Sequence, residues 1–387
     1  MLSKIISLIT SIIMFVAPAA DFPAANVDTE SFKTNYTCVF VHGLGGWGNY
    51  DPQYRVFPYW GLLGGDLIKY LNARGFNTAA ASVDPTGSNW DRTCELYAQL
   101  TGTRVDYGKA HSEKCGHKRY GKNYEGSALI EKWDSENKIN LFGHSFGGAA
   151  IVELAQLMSK GSEEEMKVTP ENEISPLFTG GKGDYIYSIT TLAAPLNGTS
   201  AYYIKDEINS DPYADFDERT VTAAVGALTQ PKTDGRDEKD CAGYDLSIDG
   251  AMEISETWDT FDNIYYFSFA CDATEVDKNG TRTIDKKDLE MIYRGAGPRI
   301  VNWTGTTPKG YKVDESWQAN DGLVNTISAI APFNAPRCDF NKNSTKPGIW
   351  NVMPIYKGDH MSLQGGLLKT NNVRLLYIEH LTMINSL

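Results

Sequence analysis

Gly143-His144-Ser145-Phe146-Gly147 has the G-x-S-x-G spacing that acyl-transfer chemistry uses to present a serine. Glycines two positions to either side of Ser145 permit a tight strand-to-helix turn that holds Oγ out above a sheet. A serine hydroxyl at its ordinary pKa is a poor nucleophile and needs a neighbouring base. The chain has six histidines, so the choice is short. His42 leads a Gly-rich turn, His144 sits inside the elbow, His380 lies near the C-terminus, and His111 and His117 share one polar loop. That leaves His360, late in the chain, where an order of Ser, Asp, His puts the base.

For the orienting acid, Asp321 in Ala319-Asn-Asp-Gly-Leu-Val324 falls between the serine and the histidine. Asp359 adjoins His360 in the chain and is badly placed to reach around to its ring. Asp321-Gly322 also reads as an ordinary turn. A tetrahedral intermediate needs N–H donors: Phe146, after the nucleophile, and Leu44, in the turn His42-Gly-Leu-Gly-Gly46, are the expected pair.

The elements that must position these groups follow from the apolar pattern. Thr37-Cys-Val-Phe-Val41 is a continuous apolar run, as a buried parallel strand requires. Strands are also expected at 77–83, 138–142, 185–194 and 264–270. Trp60 to Arg74 carries helical spacing and stops at Gly75. Ser88-Asn-Trp-Asp91 opens a helix as a capping box. Further helices are expected from the elbow to about Lys160 and from Arg374 to Leu387, while Gly161 to Asp184 reads as a solvated loop. Strands alternating with helices predict an α/β fold: a central, mostly parallel sheet with helices on both faces. No linker divides residues 21–387, which read as one domain.

Composition narrows the classes. Of 387 residues 41% are hydrophobic and 22% charged, which excludes wholesale disorder. A net charge of −13 repels phosphate backbones, so nucleic acid is not an expected partner. Lys4, an apolar run from Ile5 to Val16 and Ala17-Pro-Ala-Ala20 form a signal-peptide layout over residues 1–20, with cleavage near Ala19/Ala20 and export. The run is too short to span ~30 Å of hydrocarbon, so no stable membrane insertion is expected.

His42-Gly-Leu-Gly-Gly-Trp-Gly48, Ser88-Asn-Trp-Asp-Arg92, Val105-Asp-Tyr-Gly108, Tyr244-Asp-Leu-Ser247 and Asn320-Asp-Gly-Leu-Val-Asn325 resemble the secreted triacylglycerol lipases of thermophilic Geobacillus and of staphylococci. The resemblance runs from about Cys38 to His360. It implies an α/β-hydrolase fold, carboxylester hydrolysis, Ser145, Asp321 and His360 as the triad, and Leu44 and Phe146 as oxyanion donors. It also implies a zinc site at Asp91, His111, His117 and Asp240, within an insertion at about 84–126. Two imidazoles and two carboxylates suit such an ion, and four filled protein positions make it structural. The family's calcium site is not expected, because Met361-Ser-Leu-Gln-Gly-Gly366 contains no carboxylate.

If the four ligands meet, Cys115 and Cys241 are neighbours and can form a disulfide, or one thiolate can replace a carboxylate on the metal. Cys271 and Cys338 are a second candidate pair, whereas Cys38 and Cys94 should stay free. The family's covering segment is short here, at about 198–240, predicting an open cleft walled by Leu44, Trp47, Phe146 and Tyr202 and accessible to lipid-like or polymeric esters. Two rival readings are an amidase or acyltransferase on the same fold, and a catalytically dead binding module, which would lack a triad member.

Overall fold

The computed structural model describes residues 27–204, 226, 228–230, 235–367 and 371–387; the expected signal peptide lies outside them. The chain enters on β1 (Thr37–Val41) and continues through β2 (Thr78–Ala81), an antiparallel hairpin of β3 (Arg104–Asp106) and β4 (Tyr120–Asn123), then β5 (Ile139–His144), β6 (Ile186–Leu192) and β7 (Tyr265–Phe269). The main sheet runs in the order Arg337–Asp339, Trp350–Val352, β7, β6, β5, β1, β2. Every pairing in it is parallel.

Both faces are buried, which explains the unbroken apolar runs. Alternate residues of β1 divide between two cores. Val39 and Val41 join Leu141, Ile151 and Leu154 beneath the helices Asn89–Thr101 and Phe146–Lys160. Cys38 and Phe40 join Phe142, Leu71, Tyr377 and Leu381 beneath Leu67–Asn72 and Arg374–Asn385. No helix among the described residues is long and apolar enough to cross a membrane.

Three expectations are corrected. The helix expected from Trp60 spans only Leu67–Asn72, because Gly61 and Gly65 adopt φ of 92° and 94°, and the chain restarts at the Asp66 cap. The solvated loop contains a helix, Glu163–Val168, capped by Ser162. Its Glu165 is buried and accepts the N–H groups of Ala110 (3.0 Å) and His111 (2.8 Å).

The third concerns the disulfides, since all six cysteines are free. Cys115 and Cys241 do lie in adjoining segments, Asp237 N–H donating to the Cys115 carbonyl at 2.9 Å. Their thiols turn elsewhere: Cys115 Sγ is 3.7 Å from His111 Nδ1, and Cys241 Sγ is 3.3 Å from the Glu238 carbonyl. Cys338 is level with Phe267 but two strands away, and Cys271 lies four residues further along. At ~4.8 Å per strand and ~3.3 Å per residue they are beyond the ~7 Å a disulfide spans.

Candidate active site

β5 ends in the elbow. Ser145 holds φ 55° and ψ −130°, a conformation that L-residues rarely adopt. Glycine is required around it: a Cβ on Gly43 would lie 2.7 Å from Ser145 Cβ, and one on Gly147 2.3 Å from the Val41 carbonyl. The three groups singled out in the sequence meet here. Ser145 Oγ is 2.9 Å from His360 Nε2, and His360 Nδ1 is 2.8 Å from Asp321 Oδ2. All three are buried. With Nδ1–H donated to the carboxylate, Nε2 is left bare to accept the serine proton.

Asp321 is also the turn residue it resembled, its Oδ1 accepting Leu323 N–H (3.0 Å) and Val324 N–H (2.7 Å). Asp359 faces away from the imidazole and accepts Glu290 N–H (2.6 Å) and Ser362 Oγ–H (3.0 Å). Burial raises its pKa, opposed by those hydrogen bonds.

The turn after β1 is held from below. His42 is buried, and burial pulls its pKa down to about 3, so the ring is neutral. Its Nε2 accepts Val83 N–H (3.2 Å), leaving Nδ1–H to donate to the Gly43 carbonyl (2.8 Å). Phe146 opens the elbow helix, where its N–H has no partner within the helix. A cavity of about 200 Å³ stands over Ser145 and His360, walled by Leu44, Tyr202, Leu246, Ile292, Tyr293 and Leu323 among others. Its lining is mainly apolar, as an acyl chain requires.

Trp47 is not in the wall. Its indole N–H donates to the Phe57 carbonyl (2.7 Å) and its ring packs edge-on to Tyr59 (5.6 Å), behind the cavity. The Phe146 ring likewise lies away from it, under the Arg92 guanidinium at 4.8 Å. The segment expected to leave the cleft open contributes Gly226, Leu228 and Thr229 to the lining. A Cβ on Gly45 would meet Leu228 Cδ1 at 3.2 Å, so Leu228 packs over the turn. Residues 205–225, 227 and 231–234 of that segment lie outside the described residues.

A second centre forms from Asp91, His111, His117 and Asp240, whose ligand atoms lie within 4.8 Å of one another. His111 Nε2 is 3.3 Å from Asp91 Oδ1 and 3.6 Å from Asp240 Oδ1; His117 Nε2 is 3.5 Å from Asp240 Oδ2. These are buried atoms without hydrogen-bond partners, converging as they would on a cation. His117 Nδ1 bonds the Lys118 carbonyl (2.9 Å), which leaves Nε2 free for a metal. His111 stacks on Trp90 at 5.1 Å. The residues present therefore fit a divalent metal ion.

Three supporting residues carried no sequence signal: Glu165, which clamps the His111 backbone; Arg236, whose guanidinium is 4.0 Å from Asp91 and Asp240; and Tyr59, which joins His144 at 2.6 Å. Tyr59 is one of 21 tyrosines.

A parallel sheet covered on both faces, a serine on a strained strand-to-helix elbow and a His–Asp pair behind it define an α/β-hydrolase fold. The chain belongs to the family described as "Lipase-like, C-terminal domain", which matches residues 34–210 and 231–374. It is 33% identical to Lipase 2 of Staphylococcus aureus over 363 residues, covering 85% of this chain and 50% of that one. Lipase 1 of the same species is 33% identical over 86% of this chain and 51% of its own. The chain thus spans about half the length of the curated relatives it matches. Among solved structures, EstA from Clostridium botulinum superposes with a TM-score of 0.78 at 32% identity, covering 96% of this chain and 93% of that one. The Staphylococcus hyicus lipase superposes at 0.72 with 30% identity, covering 93% and 96%.

Proposed function

We propose that this chain is a secreted serine carboxylester hydrolase. The observation that carries the reading is the His360 imidazole, held between Ser145 Oγ and Asp321 at the foot of an apolar cavity. Ser145 Oγ bonds the acyl carbon while its proton passes to His360 Nε2. Asp321 holds the ring and stabilises the imidazolium. The N–H groups of Leu44 and Phe146 receive the oxyanion. The proton then moves from Nε2 to the departing alkoxide oxygen as the C–O bond breaks, and water releases the acid by the same route. The triad members are all present, which disfavours a dead binding module.

An apolar wall favours lipid-like acyl groups, and the short covering segment extends the reading to polymeric esters. The test is a p-nitrophenyl ester series of rising chain length beside the matching anilides, with polyester film as a separate arm. Ester turnover well above anilide turnover is expected, with soluble acids released from film. Anilide turnover matching the esters would favour the amidase reading.

The cluster at Asp91, His111, His117 and Asp240 is proposed to hold zinc. Four protein positions suit a structural ion that clips the loop around 109–123 to the body, leaving water activation to His360.

A further inference from the structure

We propose that Tyr59 is a positioning residue for this hydrolysis, tying the oxyanion turn at Gly43 to the backbone of the base through His144; the proposal rests on the ester-hydrolase reading. Gly43 N–H donates to Tyr59 Oη at 3.2 Å. Tyr59 Oη lies 2.6 Å from His144 Nδ1, and His144 Nε2 lies 2.8 Å from the His360 carbonyl. Tyr59, His144 and His360 are all buried.

The directions are forced. A carbonyl can only accept, so His144 Nε2 carries a proton, and in the neutral ring Nδ1 is bare. The phenol therefore donates to Nδ1 and accepts from Gly43. Burial, reinforced by the neighbouring His360, lowers the His144 pKa to about 3, which keeps the ring neutral. One arrangement satisfies every group, and it joins the turn that stabilises the oxyanion to the loop that carries the base.

The consequence for the reaction lies in one peptide plane. The Gly43 carbonyl is held by His42 Nδ1 (2.8 Å) and by Gly46 N–H (3.2 Å). Across a trans peptide the Leu44 N–H points opposite to that carbonyl, so fixing Gly43 aims the Leu44 donor. Tyr59 pins the other polar group of Gly43. The phenol is itself fixed: Gln364 Nε2 donates to the Tyr59 carbonyl, and Trp47 packs edge-on against the ring at 5.6 Å. His144 meanwhile stands 5.0 Å from the His360 ring without adding a second positive charge when the imidazolium forms.

The experiment compares Tyr59→Phe with Tyr54→Phe in the full chain. Tyr54 is a buried phenol whose hydroxyl has no hydrogen-bond partner, so it controls for loss of a buried hydroxyl. The readouts are kcat and KM for p-nitrophenyl butyrate, inhibition by an alkylboronic acid that mimics the tetrahedral state, and melting temperature. Tyr59→Phe should lower kcat at least about tenfold, short of the 10²–10³ that follows outright loss of an oxyanion donor. KM should hold within about twofold, and boronate affinity should weaken by the same factor as kcat. Tyr54→Phe should keep wild-type kcat and boronate affinity.

Wild-type kcat in Tyr59→Phe, or a kcat loss with unchanged boronate affinity, would overturn the role of Tyr59. A wild-type protein with no ester turnover would instead remove the hydrolase reading on which the proposal rests.

Discussion

Asp91 Oδ1 lies 3.3 Å from His111 Nε2, while the guanidinium of the next residue, Arg92, donates to the carbonyls of His42 (2.5 Å) and Asp84 (2.6 Å). One turn of the helix Asn89–Thr101 thus carries both a member of the proposed metal centre and a strut of the Gly-rich turn after β1. Burial lowers the Arg92 pKa only to about 10, so the group stays charged.

Replacing Arg92 by Met keeps much of the packing but strands the buried His42 carbonyl and the partly buried Asp84 carbonyl. At about 1–3 kcal/mol for each unsatisfied group, the loss should be roughly 2–6 kcal/mol in urea unfolding. The change should also reduce kcat, because His42 and Gly43 lose their support. Stability within about 0.5 kcal/mol of wild type would contradict this role.

Metal removal should act on stability first. An ion bound only by the folded chain stabilises by about 2.7 kcal/mol at 100 times its Kd. Chelator should therefore lower the melting temperature, and elemental analysis should find zinc at one per chain. His117→Ala should lose both the ion and the sensitivity to chelator. A protein that purifies without zinc and melts identically with chelator would rule the centre out.

His380 gives a pH signature. Its ring is enclosed by Phe142, Phe267 and Phe269, and burial lowers its pKa to about 3. The unfolded chain binds this proton below about pH 6.5 and the folded chain does not, so stability falls as pH drops through the window from 6.5 to 3. His380→Leu removes that contribution. Between pH 6 and 4 wild type should lose about 1.4 kcal/mol per pH unit more than the variant. Parallel stability curves would show that the ring titrates freely when folded.

The two aspartates beside the base should separate cleanly. Asp321→Asn removes the carboxylate from His360 Nδ1 and should cost about 10⁴ in kcat. Asp359→Asn disturbs acceptors of Glu290 N–H and Ser362 Oγ–H and should leave kcat within about tenfold. The reverse order would reassign the acid.

Much of this site was legible because acyl transfer restricts which residue types can serve. With six histidines, elimination reached His360, and a parallel sheet turned continuous apolar runs into strands with short ambiguity. Tyr59 was hidden because its role is a contact across 85 residues, made by a residue type that usually packs. Glu165 sits in Glu163-Glu-Glu165, a run that resembles a solvated face; only the Ala110 and His111 N–H groups, brought in by the fold, make its burial favourable. The Trp60–Arg74 helix failed on backbone conformation, since apolar spacing does not reveal that Gly61 and Gly65 take positive φ. Trp47 was misplaced because proximity to the oxyanion turn in sequence does not say which side of the turn a ring packs on.

The most direct measurement is steady-state hydrolysis of p-nitrophenyl butyrate by wild type and Ser145→Ala, with folding checked by circular dichroism. Turnover by wild type and a loss of about 10⁴–10⁶ in kcat in the folded variant is the predicted result. A folded Ser145→Ala protein retaining kcat within about tenfold of wild type would contradict the account.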